Sequence, residues 1–399
     1  MSSENVDLDA LQEARWFAGK GRAIAGARVV AEPAGGALRV AEIAYADDGR
    51  GAPVERYLLG AEAVRWADLL RAPGELELRV TDRALLDARG AEAVPSTDQS
   101  NTLVTIDDTL LVKAYRKLEA GVHPEVELGA ALAGTPAPVP RHAGSLHWGD
   151  TAIALLQEFV PGAESGWEAP IEAVAAALRA GDATTDALIA PYAAAGEAAG
   201  ALHAALADRL GTAEDPGAPA RWAADAHAAL DAAVALEPLA AESEPMIRAG
   251  LHALTAARAP RVGRVHGDLH YAQLLRTPDR LLIVDLEGDP TAPLAARRRP
   301  DTPLRDLAAL LRSIDHIGTA GSRRAGWAGP TRFVAAASDA AREAYERATG
   351  APVDRPLLAA LELASECREL VYAHRVVPEW AYAPRAGLTR LLQQGPTPS

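Results

Sequence analysis

Beyond residue 162 the chain is written almost wholly in alanine-rich, helix-forming segments, and only two short β-like runs, residues 261–266 and 280–285, interrupt them. This interruption constrains the fold more than any other feature. The predicted helices around it cover residues 171–180, 188–210, 220–236, 243–257, 303–314, 330–348 and 356–376. Upstream the pattern is reversed. Residues 27–31, 37–44, 54–59 and 76–80 read as strands separated by Gly, Pro and Asp, with one amphipathic helix over 61–71. Residues 101–106 and 109–115 are apolar runs divided by Asp107-Asp108, the pattern of a hairpin, followed by a helix over 125–133 and a strand over 152–159. The alanine runs are helix formers and show no internal period. The expectation is an α+β chain in three parts: a cap over residues 1–90, a β-rich lobe over 91–161, and a mainly helical lobe over 162–399. A bilobal layout of this kind suits an enzyme with a cleft.

Composition excludes several classes. A net charge of −14 argues against nucleic acid as the main partner, since a phosphate backbone asks for surplus Lys and Arg. The single cysteine, Cys367, forms no internal disulfide. No apolar run approaches the roughly 20 residues that span a bilayer, and residues 1–10 lack a signal-peptide pattern. No membrane partner, a cytoplasmic location and a monomer are expected. Clustered His and Cys for zinc are missing, as is a G-x-S-x-G motif. Only three of the 40 basic residues are lysines (Lys20, Lys113 and Lys117), so a surviving lysine is a candidate for a role that needs a compact ammonium.

The chemistry concentrates at the β interruptions. Val265-His266-Gly267-Asp268-Leu269-His270-Tyr271-Ala272-Gln273 is followed by Leu281-Leu282-Ile283-Val284-Asp285, which places Gln273 five residues and Asp285 seventeen residues after Asp268. Phosphoryl transfer needs one carboxylate to deprotonate an acceptor hydroxyl and two oxygen ligands for the Mg²⁺ on the nucleotide phosphates. Asp268 has the spacing of the base, and Gln273 and Asp285 that of the metal ligands. His203, on an Ala-rich helix, reads as a hydrogen-bonded core histidine.

Upstream, Lys113 lies on a strand and Glu127 on the helix fourteen residues later, an order that suits a phosphate lysine steadied by a glutamate. Chance produces such pairs in many domains. Ser100, Asn101 and Thr102 stand where phosphates would be capped, without any glycine-rich loop, and an ordinary hairpin start reads the same way. Glu158 to Val160 ends a strand where β-rich sequence gives way to helix, so its backbone is a candidate contact for an adenine edge.

Arg15-Trp16-Phe17-Ala18-Gly19-Lys20-Gly21-Arg22, Asp98-Gln99-Ser100-Asn101-Thr102, Gln157-Glu158-Phe159, the Asp268–Gln273 loop, Asp285-Leu286-Glu287-Gly288-Asp289-Pro290 and Pro303-Leu304-Arg305-Asp306 together resemble actinobacterial maltokinase-type sugar kinases. Within that group the chain most resembles bacterial glucosamine kinases. The resemblance implies a protein-kinase-like, aminoglycoside phosphotransferase-like fold with an N-terminal cap, ATP, Mg²⁺ and a sugar hydroxyl as acceptor. It also implies Asp268 as base, Gln273 and Asp285 as metal ligands, Lys113 as phosphate lysine, Glu127 as its partner and Glu158 to Val160 as hinge.

Departures from the maltokinase pattern bear on the acceptor. Leu286 and Asp289 replace Phe and Glu, and Glu362-Leu363-Ala364-Ser365-Glu366-Cys367-Arg368-Glu369 replaces a stretch that carries a lysine. Glu362, Glu366 and Glu369 share a helix face by spacing. Such a face, without a cation, could hold the ammonium of an amino sugar, and a solvated acidic face would show the same spacing. Trp380 could stack on a pyranose ring or fill a core, His270 and Asp301 could bond sugar hydroxyls, and Asp301 could equally cap the helix after Pro303. Glucosamine is the first acceptor. Maltose, an aminoglycoside and an inactive binding module are the alternatives.

Overall fold

The computed structural model describes residues 6–14, 16–46, 54–88, 90–94, 101–181, 184–257, 260–327 and 332–394. The chain divides into two compact units. One comprises residues 1–134, 140–162 and 292–294; the other comprises residues 135–139, 163–291 and 295–399.

The first unit holds two antiparallel sheets. One runs Ile24–Ala31, Arg39–Tyr45, Val54–Leu59, Lys117–Leu118; the other runs Glu77–Val80, His142–Trp148, Thr151–Glu158, Leu110–Ala114, Thr102–Ile106, Glu92–Ala93. The segments expected as cap and lobe therefore exchange strands, since Lys117–Leu118 completes the first sheet and Glu77–Val80 edges the second. Arg116 ties them together. Its Nε donates to Thr102 Oγ1 at 2.6 Å, one terminal nitrogen donates to the Leu58 carbonyl at 3.1 Å, the other pairs with Glu62, and the guanidinium lies 4.6 Å from the Trp16 ring centre. Its burial at 3% exposure is tolerable because these partners satisfy the fork.

The Asp107-Asp108 hairpin forms as expected, with Ile106 opposite Leu110 and both aspartates left-handed, at φ 54° and 49°. Strand His142–Trp148 was not anticipated. Its residues are buried on both faces up to His147, which removes the polar alternation that marks a half-exposed strand.

The second unit is helical. Helix Leu304–Ala325 packs on Glu168–Ala180, Arg332–Thr349, Arg355–Val376 and a final helix, Tyr382–Gln394, that lies beyond the last predicted one. The two β runs do not pair with each other. Arg261–Gly263 pairs with Thr212–Glu214, and Leu281–Ile283 pairs with Leu274–Arg276. The second hairpin brings Gln273 and Asp285 to neighbouring ends of a two-stranded ladder. Among the described residues no helix is long and apolar enough to cross a membrane.

Candidate active site

In the second unit, the loop carrying Asp268 is held by its backbone. The N–H groups of His266 and Gly267 donate to the two oxygens of Asp306, at 2.7 and 2.9 Å. Asp306 is buried, and His203 Nε2 lies 2.9 Å from its Oδ2 while His203 Nδ1 lies 3.0 Å from the Tyr345 hydroxyl. Burial would raise the Asp306 carboxyl, but the His203 and Gly267 hydrogen bonds outweigh it and hold the group below its ordinary value. His203 is thus the hydrogen-bonded core histidine expected. The anchoring role of Asp306 went unnoticed, because nothing in a lone helix aspartate announces two distant backbone partners.

His266 Nε2 bonds the Val284 carbonyl at 2.9 Å, joining the loop to the strand end that bears Asp285. Gln273 Nε2 donates to Asp285 Oδ2 at 3.1 Å, so the two predicted metal ligands are adjacent. Asp285 has φ 67°, a strained conformation for a residue with a Cβ. An amide oxygen and a carboxylate held together by this bond are hard oxygen donors, a set that fits Mg²⁺.

Asp268 itself is partly exposed, yet desolvation pushes its carboxyl up to about 7, against the Arg312 charge and with the help of Asp289, Asp285 and Glu369. His270 Nε2 lies 3.9 Å from Asp268 Oδ2. Burial and then Arg312 depress His270 to about 3, which keeps it neutral, and its Nδ1 has no hydrogen-bond partner among the described residues. Its ring stacks on Trp167 at 5.5 Å and 22°, and Trp167 lies 6.3 Å from Trp380. His270 and Trp380 thus both meet Trp167, with Asp268 beside His270, and no motif in the sequence marks Trp167.

The acidic helix face differs from expectation. It is not free of cations: Arg312 donates to Glu369 at 2.7 Å and to Ser365 at 3.1 Å. Glu366 is 2% exposed and lies 3.1 Å from His316 Nε2. Burial drives the Glu366 carboxyl well above its usual value and depresses His316 to about 3. Glu362, also raised by burial, to about 7, is influenced by Arg342 rather than Arg312. The i, i+4, i+7 spacing is real, but helices packed on either side give each carboxylate different surroundings. For Asp301 the helix-start alternative is the one with visible bonds. Its oxygens accept from Trp222 Nε1 at 2.7 Å, from the Thr302 N–H at 2.7 Å and from Arg305 Nε at 2.5 Å, so it braces the start of helix Leu304–Ala325.

In the first unit, Lys113 pairs with Glu125, Nζ to Oε2 at 2.8 Å, on helix Pro124–Leu132. The expected partner was Glu127. Positions 125 and 127 lie about 200° apart around a helix, and Glu125 is the one that meets the lysine. Ser100 lies outside the described residues. Asn101 Oδ1 accepts the Arg116 N–H at 3.3 Å and Thr102 bonds the Arg116 side chain, so these two fasten the hairpin start. Glu158 closes strand Thr151–Glu158, its side chain accepting from the Arg141 N–H at 3.1 Å; Phe159 donates to the Thr109 carbonyl at 2.8 Å, and Val160 follows, buried.

The phosphotransferase enzyme family matches residues 90–288, which span the lysine strand, the Asp268 loop and Asp285. A glucosamine kinase of Streptacidiphilus jiangxiensis is 32% identical over 74% of this chain and 72% of its own length. The chain belongs to this phosphotransferase family. A second glucosamine kinase, of Mycolicibacterium smegmatis, is 30% identical over 77% of this chain and 81% of its own length. Among solved structures, a glucosamine kinase superposes with a TM-score of 0.75 at 26% identity, covering 96% of this chain and 97% of the other. Another, described as a glucosamine kinase in complex with glucosamine, ADP and inorganic phosphate, gives 0.74 at 25% identity. The fold is the aminoglycoside phosphotransferase-like, protein-kinase-like one, and the phosphotransferase family makes the chain an enzyme.

Proposed function

We propose that the enzyme transfers the γ-phosphoryl group of ATP to the 6-hydroxyl of D-glucosamine, giving glucosamine 6-phosphate and ADP. The observation that carries this reading is coverage: the match to glucosamine kinase structures extends over 96% and 95% of this chain, including its N-terminal segment. In the reaction Asp268 accepts the proton of the sugar hydroxyl as its oxygen bonds the γ-phosphorus, and the bond to the bridging oxygen of ADP breaks. Lys113, steadied by Glu125, would meet the nucleotide phosphates, and the Glu158 and Val160 backbone would meet adenine. Gln273 and Asp285 would hold Mg²⁺, which supplies charge neutralisation on the phosphates.

On the acceptor side, Trp167 and Trp380 offer aromatic faces to a pyranose ring, and neutral His270, whose Nε2 lies 3.9 Å from Asp268, would meet a sugar hydroxyl there. Asp268 has Asp285, Asp289 and Glu369 around it against Arg312, a balance that favours a cationic acceptor. The test is ATP turnover with glucosamine, N-acetylglucosamine, glucose and maltose. Glucosamine should give the highest kcat/KM. A preference for maltose, or equal use of glucose and glucosamine, would reject the reading.

A further inference from the structure

The Lys113–Glu125 pair has a third member. Tyr115 lies two positions after Lys113 on the same extended segment, so both side chains leave on one face of the sheet. Its hydroxyl donates to Glu125 Oε2 at 2.9 Å, the same oxygen that Lys113 Nζ approaches at 2.8 Å. Nothing about Tyr115 is loose. It is 2% exposed, its N–H donates to the Ile153 carbonyl at 2.9 Å, and its ring stacks on His123 at 3.9 Å between centres and 26° between planes. His123 is the residue immediately before helix Pro124–Leu132, so one aromatic ring contacts both the start of that helix and its first-turn carboxylate.

We infer that Tyr115 is a positioning residue that pre-assembles the lysine–glutamate pair, holding Glu125 in place whether or not a nucleotide is present. The physical case is one of entropy and direction. A glutamate in the first turn of a helix has three rotatable bonds, and an ammonium is a point charge that accepts it from many angles. The phenol supplies a second, directional bond from a ring that cannot move, so Glu125 keeps one rotamer. Lys113 is then fixed by the carboxylate it meets, and its ammonium is presented without an ordering cost when ATP arrives.

The inference rests on the kinase reading above, and its failure is distinguishable from failure of that reading, which would appear as absence of glucosamine-dependent ATP turnover by the unaltered enzyme. With turnover established, Tyr115→Phe removes only the hydroxyl. It should raise KM for ATP and weaken ADP binding by about tenfold, the scale of one hydrogen bond to a charged group, while KM for glucosamine stays the same. Glu125→Gln alone and Glu125→Gln with Tyr115→Phe should have the same KM for ATP, because the hydroxyl acts only through that carboxylate. Wild-type kinetics in a folded Tyr115→Phe, an equal rise in both KM values, or additive effects in the double variant would each overturn the inference. Should Tyr115→Phe fold poorly, His123→Phe, which keeps the stack and the hydroxyl, should preserve KM for ATP; a tenfold rise there would assign the effect to packing.

Discussion

The two clusters of the proposed site are built on opposite electrostatic plans. In the first unit Lys113 and Glu125 cancel each other, and both are buried. In the second, desolvation lifts Asp268 to about 7, and Asp289 and Asp285 add to it. The first cluster pairs its lysine with a buried carboxylate of the protein itself. The second carries an excess of negative charge that a cation or a cationic substrate would relieve, so its cost in folding is tied to its affinity for ligands. The difference teaches that one half of the chemistry is preset whereas the other is poised.

The strongest way to break this comparison is Asp268→Asn. Removing a general base should cut kcat by about a thousandfold while ADP affinity, measured by calorimetry, stays unchanged. A smaller loss would remove Asp268 from proton transfer. Next, Glu125→Gln should lower kcat/KM for ATP by about ten- to a hundredfold because Lys113 loses its buried counter-charge, whereas Glu127→Gln should stay within about threefold. Equal losses would show that both carboxylates serve the lysine.

The poised half has a pH signature. With Asp268 titrating near 7, kcat/KM for glucosamine should climb through neutral pH and level off above it, because the base must be ionised. The same shift acts on stability with the opposite sense. A carboxyl raised on folding keeps its proton in the folded state, so ionising it above its ordinary value of 3.8 weighs against the fold. Asp268→Asn should therefore raise Tm near pH 8 and lose that advantage near pH 4, which a pair of melting curves would check. Finally, Glu369→Gln leaves Arg312 less neutralised and should reduce the preference for glucosamine over glucose by about fivefold; an unchanged ratio would exclude a part in reading the amine.

The sequence exposed the parts of the site that are contiguous. Asp268, Gln273 and Asp285 fall in one stretch whose hairpin brings the last two together, and the Asp107-Asp108 turn is announced by its residue types. Facing was harder. Whether Glu125 or Glu127 meets Lys113 depends on where helix Pro124–Leu132 begins and how it is rotated, and no periodicity states that. The carboxylates at 362, 366 and 369 show the same gap, for their spacing was legible while the packing of His316 and Arg312 against them was not. Gly387, whose Cβ would collide with the Glu366 carboxyl, is a further contact that only the folded chain reveals. Trp167 was invisible for a simpler reason: a lone tryptophan before a helix has no pattern to join.

The exchange of strands within the first unit has a consequence for anyone shortening this protein. Cutting away the opening sixty residues would not lift off an accessory module. It would strip Lys117–Leu118 of its ladder, leave Arg116 buried without the Leu58 carbonyl, and unseat the chain only two residues from Tyr115 and four from Lys113. If Lys113 holds the nucleotide as proposed, a trimmed version would loosen that grip while keeping every residue that forms it.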